Sequence, residues 1–203
     1  MSVPSGAYSG ANSESSGCQA SGASTGAVGL FHVIGVTPEA PDRATVFGGM
    51  APAEVIRLEA PMLEAARRRL STGLVPADGR IDAVAIGSPH LSEGEVDALI
   101  AGLAGRRVAI PFYACTGRHV LDRIAGDGRR AALDAAGVTL IADTCIVVTP
   151  ILSAAAGLLV TNSGKFAHYT PSTTGWDVLY GSLTDCVESA VTGRLARDEA
   201  IWR

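Results

Sequence analysis

From residue 81 onward the chain alternates short, nearly continuous apolar runs with stretches whose apolar positions recur at helical spacing. The runs are IDAVAIG (81–87), RRVAIPFYA (106–114), VTLIAD (138–143), LLVTN (158–162) and WDVLYG (176–181). Residues 92–104, 118–136, 164–169 and 183–193 read as helices, and a loop follows the third run. A strand buried on both faces has no solvent side, so it loses the polar alternation of a half-exposed strand. The pattern therefore predicts an α/β fold over 80–195, a mostly parallel sheet with helices on both faces. Ser92 with Glu95, and Ser182 with Asp185, have the spacing of capping boxes that open helices. Gly137, just before a strand, fits a helix C-cap.

The first part of the chain has a different texture. AVGLFHVIGV (27–36) reads as a buried strand ended by Thr37-Pro38, and a loop with Gly48-Gly49 follows. Residues 53–70 carry helical spacing that Pro61 should interrupt or kink. Residues 24–79 are accordingly expected to be a partial second domain. Of the first 27 residues, 18 are Ser, Gly or Ala and none is Lys or Arg, so 1–23 is expected to be a flexible or truncated terminus. Residues 196–203 form a tail.

Composition narrows the function classes. The 203 residues are 47% hydrophobic and 18% charged, with mean hydropathy +0.28, which excludes a disordered chain. Four cysteines are too few for a disulfide scaffold. A net charge of −4 argues against a nucleic-acid or anionic-membrane partner. A secretory signal would need a basic flank and an apolar core at the start, and the longest apolar run, 146–160, holds Pro150 and is too short to span a bilayer. A cytoplasmic location with reduced thiols is the expectation.

Ligands of open parallel sheets bind at the carboxyl ends of the strands. Those ends read Gly87-Ser88-Pro89-His90, Cys115-Thr116-Gly117-Arg118, Asp143-Thr144-Cys145, Asn162-Ser163-Gly164-Lys165 and Gly181-Ser182. No G-x-G-x-x-G follows the first strand. In the Gly164-Lys165 turn, Phe166 replaces the Ser or Thr of a nucleotide P-loop, and Gly157 lies seven positions upstream of Gly164 rather than five. There is no C-x-x-C, so spacing alone leaves two readings for Cys115, Cys145 and Cys186: metal-binding thiolates near helix N-termini, or small buried hydrophobes. Fifteen of the sixteen basic residues are Arg, and the single lysine, Lys165, reads either as a solvated cation or as an amine that docks a carboxylate or phosphate. His32 and His90 read as structural histidines.

Five ordered blocks carry a likeness: LFHVIGVTPEAP (30–41), IGSPHLSEGE (86–95), AGVTLIADTC (136–145), VTNSGKFAHYTP (160–171) and YGSLTDCVESAVTGR (180–194). Together they resemble the aconitase X family, over about residues 23–195. The resemblance implies a hydro-lyase that dehydrates a small hydroxy acid such as cis-3-hydroxy-L-proline or mevalonate 5-phosphate, and that depends on an iron–sulfur cluster. It implies Cys145 and Cys186 as metal ligands, Ser24, Thr25, Asn162, Ser163 and Lys165 as substrate-binding residues, and Ser24 and Lys165 as catalytic ones. Lys165 would hold the substrate's anionic group and Ser24 would serve as base or as its hydrogen-bond partner. Cys115 falls on no implied ligand position.

The family's large subunits are about twice this length, with a third cluster cysteine in the upstream half and a small swivelling subunit or domain as partner. The resemblance thus implies that this chain corresponds to the C-terminal half of a catalytic subunit, whether a split, truncated or fragmentary gene product. Cys18 is a weaker stand-in for the third ligand. Two other readings stay open: an inactive truncated α/β module or subunit needing a separately encoded half, and a Schiff-base enzyme using Lys165.

Overall fold

Five strands make one sheet: β1 Ala83–Leu91, β2 Phe112–Thr116, β3 Val138–Ala142, β4 Leu158–Thr161 and β5 Asp177–Tyr180. Their order is β3-β2-β1-β4-β5, and each neighbouring pair is parallel. The structure, a computed structural model, describes residues 26, 30–152 and 156–202. Cys18, Ser24 and Thr25 lie outside them.

Alternation along the strands divides the core in two. Val84, Ile86, Phe112, Ala114, Leu158, Val160 and Leu179 point to one face, while Ala83, Ala85, Cys115, Leu159 and Val178 point to the other. Seven helices are described: α1 Arg43–Phe47, α2 Ala60–Arg69, α3 Glu93–Leu103, α4 Arg118–Ile124, α5 Arg129–Ala136, α6 Gly164–Thr174 and α7 Leu183–Thr192. On the first face α3, α4, α5 and α7 bury Leu99, Ile124, Leu133 and Val187. The second face is covered by α6, through Phe166 and Ala167, together with Ile146, Val147 and Leu70. The α/β architecture read from the sequence, a parallel sheet with helices on both faces, is the observed one.

The caps behave as their chemistry dictates. Ser92 and Ser182 each accept the N–H of the third helical residue, while Glu95 and Asp185 return a bond to the cap N–H. Gly137 adopts φ 85° and closes α5.

Three expectations are corrected. The described part of the predicted strand 27–36 is irregular over 30–33 and a turn over 34–36, with Leu30 75% and Ile34 45% exposed. Among the described residues no strand lies alongside to take its backbone bonds, and a lone strand is not stable in water. The predicted helix 53–70 is shorter, and Pro61 sits in the first turn of α2 rather than kinking it. Proline lacks the N–H that the first turn has no acceptor for. The predicted helix 118–136 is two helices, parted around Gly126 and Gly128, the latter at φ 88°.

The chain's last described segment ties back onto the domain. Asp185 accepts the Asp198 N–H at 2.9 Å, and Glu199, in a 3-10 turn over Glu199–Trp202, pairs with the buried Arg67 of α2 at 3.0 Å. No helix among the described residues is long and apolar enough to cross a membrane.

Candidate functional site

The first two connections, β1 to β2 and β2 to β3, move one way from β1, whereas β4 and β5 lie on its other side. The topology therefore reverses between β1 and β4, and the carboxyl ends of those strands open the crevice where such sheets bind ligands. Ser88 and His90 stand at the end of β1, and Asn162, Ser163 and Lys165 follow β4. The connection from β3 to β4 crosses the sheet and brings Cys145 to the same edge.

The end of β1 is bent for this purpose. Pairing with β2 shifts register between Ile86 and Leu91, and Gly87 has φ 84°. A side chain on Gly87 would place its Cβ 2.1 Å from the Cys115 carbonyl oxygen, so glycine is required. The irregularity turns Ser88 toward the β3–β4 connection, where its hydroxyl lies 4.0 Å from the Cys145 sulfur. Ser163 donates through its hydroxyl to the Ser88 carbonyl at 3.0 Å and accepts the Phe166 N–H at 3.3 Å. A single serine thereby joins the β1 end to the start of α6.

Across the sheet, Thr116 plays a similar part. It is fully buried, donates to the Leu91 carbonyl at 2.7 Å, and its own carbonyl accepts the Asp143 N–H at 3.0 Å. Asp143 accepts the Arg118 backbone N–H at 2.8 Å and its guanidinium Nε at 2.9 Å. That backbone bond first, then the guanidinium, holds the Asp143 carboxyl below the usual carboxylate range.

Lys165 is half-buried in the first turn of α6, and no carboxylate pairs with it among the described residues. Asn162, also half-buried, stands three residues before it. The first turn of any helix leaves backbone N–H groups without intrahelical acceptors and carries the positive end of the helix dipole. An uncompensated ammonium beside such a turn is an arrangement that attracts a carboxylate or phosphate.

The described thiols are divided between the two faces of the core. Cys145 is half-buried on the crevice edge, against the α6 face of the core. Cys186 is fully buried among the side chains of the opposite face, with Leu99, Val187 and Ala190 in the same cluster. Burial pushes its thiol far up, and nearby Asp185 adds to the effect. Cys145 and Cys186 thus pack in the two different core clusters, on opposite faces of the sheet. Cys115 is the thiol that shares a face with Cys145, but it is sealed under the Ile146 backbone and burial pushes it up to about 12. Among the described residues no group of three or more His, Cys, Asp or Glu side chains is placed to hold a metal ion. A cavity of about 330 Å³ lined by Val147, Thr149, Leu152, Thr173 and Trp176 contains none of the predicted site residues.

Comparison with known proteins decides the lineage. Residues 81–192 match the model described as aconitase X third domain, and residues 9–68 match the one described as aconitase X second domain. The chain belongs to the aconitase X family. The second-domain match starts at residue 9, earlier than the sequence blocks alone reached. This aconitase X chain is 40% identical over 179 residues to a cis-3-hydroxy-L-proline dehydratase of Pseudomonas aeruginosa, covering 86% of the chain and 30% of that relative. It is 33% identical over 162 residues to a phosphomevalonate dehydratase large subunit of Methanothermobacter thermautotrophicus, covering 78% and 38%. Among solved structures, the holo-form of Thermococcus kodakaraensis aconitase X is similar with TM-score 0.68 and 26% identity, covering 86% of this chain and 43% of that one. The chain therefore spans well under half the length of these relatives.

Ser88, Thr116 and Asp143 carry the geometry of the crevice, and none of them stood among the predicted ligands. Their signal was position alone: each lies at the carboxyl end of a predicted strand.

Proposed function

We propose that this aconitase X chain contributes the substrate-anion half of a hydro-lyase site, acting on a small hydroxy acid of the cis-3-hydroxy-L-proline or mevalonate 5-phosphate type. The observation that carries the reading is Lys165: the chain's single lysine, half-buried, without a carboxylate partner among the described residues, at a helix start beside the topological switch point. The names of the longer relatives support dehydration as the reaction.

In this reading Lys165 and the first-turn N–H groups of α6 hold the substrate carboxylate or phosphate. As the proton next to that carboxylate is removed, charge moves onto its oxygens, and the same ammonium then binds them more strongly than in the ground state. Asn162 supplies a neutral donor, and Ser163 fixes the turn through Ser88. Ser24 and Thr25, outside the described residues, stay on the substrate side on the strength of the resemblance, with Ser24 as base or its hydrogen-bond partner.

An iron–sulfur cluster would act as the Lewis acid that carries off hydroxide. The described residues do not fit one by themselves, because Cys145 alone offers a thiol to the crevice while Cys115 is sealed and Cys186 is behind the sheet. In this reading, as the resemblance implies, the remaining ligands come from outside the described residues and a small swivelling subunit or domain completes the enzyme.

The test is reconstitution. The chain is mixed with the separately produced upstream region of the 40%-identical Pseudomonas relative, reconstituted anaerobically with iron and sulfide, and assayed for dehydration of both hydroxy acids. Turnover of either, abolished by Lys165→Gln, is the expected result. A mixture that binds iron but dehydrates neither acid would favour a non-catalytic module.

A further inference from the structure

Two non-glycine residues among those described have positive φ: Ala104, which ends α3, and Asp143, at φ 53°, just past the end of β3. The left-handed region is disfavoured for a side chain with a Cβ, and Asp and Asn are the residues that adopt it most readily. Asp143 is held there from both ends. Its N–H donates to the Thr116 carbonyl, and its two carboxylate oxygens accept the Arg118 backbone N–H and Nε. The chain bends at that point, leaves β3, and carries Cys145 two residues later to within 4.0 Å of the Ser88 hydroxyl. On the far side of Cys145 the buried Ile146 anchors the connection in the core, with Thr144 and Thr149 joined hydroxyl to hydroxyl at 2.7 Å.

We infer that Asp143 is a positioning residue: its left-handed turn, locked by the carboxylate onto the start of α4, sets where the Cys145 thiol stands at the crevice. Only Thr144 separates Asp143 from Cys145, so the turn at Asp143 sets the direction in which the connection leaves β3 toward Cys145. The significance of that placement rests on the reading of Cys145 as a site residue, but the lock can be tested without any turnover.

Native protein is treated with iodoacetamide and the modified thiols are quantified peptide by peptide. Cys115 and Cys186, both fully buried, serve as internal reporters of global opening. Asp143→Ala removes the carboxylate and disfavours the turn; Asp143→Gly removes the carboxylate but keeps the turn accessible. Both are expected to raise the Cys145 labelling rate about tenfold, the scale of one lost charge-assisted hydrogen bond, while Cys115 and Cys186 stay unmodified. Asp143→Asn adopts the same φ and still accepts the Arg118 N–H, so it is expected to stay within about twofold of the parent. Cys145 labelling at the parental rate in both the Ala and Gly variants would overturn the lock, as would all three thiols opening together in both. Failure of the site reading looks different: Cys145→Ser would then leave binding of cis-3-hydroxy-L-proline unchanged while the labelling pattern of the Asp143 variants held.

Discussion

Lys165 and Gly87 show two ways a single residue determines this crevice. Lys165 acts through charge: replacing it with Gln removes the ammonium but keeps the length of the stem, so folding should be unaffected. Binding of a hydroxy acid should weaken about 10- to 100-fold, the range for losing a charged hydrogen bond, as read by titration calorimetry with thermal melting as the control. Gly87 acts through space: Gly87→Ala drives a methyl into the Cys115 carbonyl at a positive φ and should lower stability by roughly 1–3 kcal/mol, measured by urea unfolding. The sequence made the first legible, because a lone lysine in a Gly-containing turn at a strand end stands out. It hid the second, since the close approach is made by a strand distant in the chain. Cys186 marks the limit of residue-level reading. Its place about one turn into the helix after β5 left it open as a metal ligand or a buried hydrophobe, because helical spacing alone did not tell which face of the sheet that helix covers.

At the scale of elements, local chemistry was the reliable guide. Both capping boxes and the Gly137 cap were legible because each is completed within four residues of chain. Ser92→Ala should cost about 1 kcal/mol of stability. Asp185→Ala should cost more, about 1–3 kcal/mol, because Asp185 is buried and accepts the N–H groups of both Ser182 and Asp198. Chemical denaturation of the two variants side by side checks the order. The elements that were misread are those whose fate depends on distant partners. The apolar run at 30–36 has strand composition without a described neighbour to pair with, and the segment 53–59 has helical spacing but enters α2 only where Pro61 allows a first turn.

For the molecule as a whole, the five-strand order underlies the function proposed for it, because it sets the β1 and β4 ends side by side at the point where the topology reverses. Exposed ion pairs lie across the surface of the domain. Arg123 and Arg129 hold the Glu93 carboxyl below its ordinary value, Arg129 does the same for Asp127, and Arg106 for Glu188. Each of these groups takes up protons less readily folded than unfolded, so its stabilising contribution is present above the ordinary values of 4.5 and 3.8 and is lost as pH falls through the lower folded ones. Melting temperature should accordingly drop on acidification below about pH 4 and do so less at high salt, since the pairs are exposed. The central claim, that the β1–β4 crevice with Lys165 receives the anionic end of a hydroxy acid, is tested most directly by titrating isotope-labelled protein with cis-3-hydroxy-L-proline and mevalonate 5-phosphate and following backbone amide shifts. Saturable shifts are expected at Ser88, Asn162, Ser163, Gly164 and Lys165 for at least one of the two, lost in Lys165→Gln. Shifts confined to other parts of the chain, or the same shifts in the variant, would contradict it.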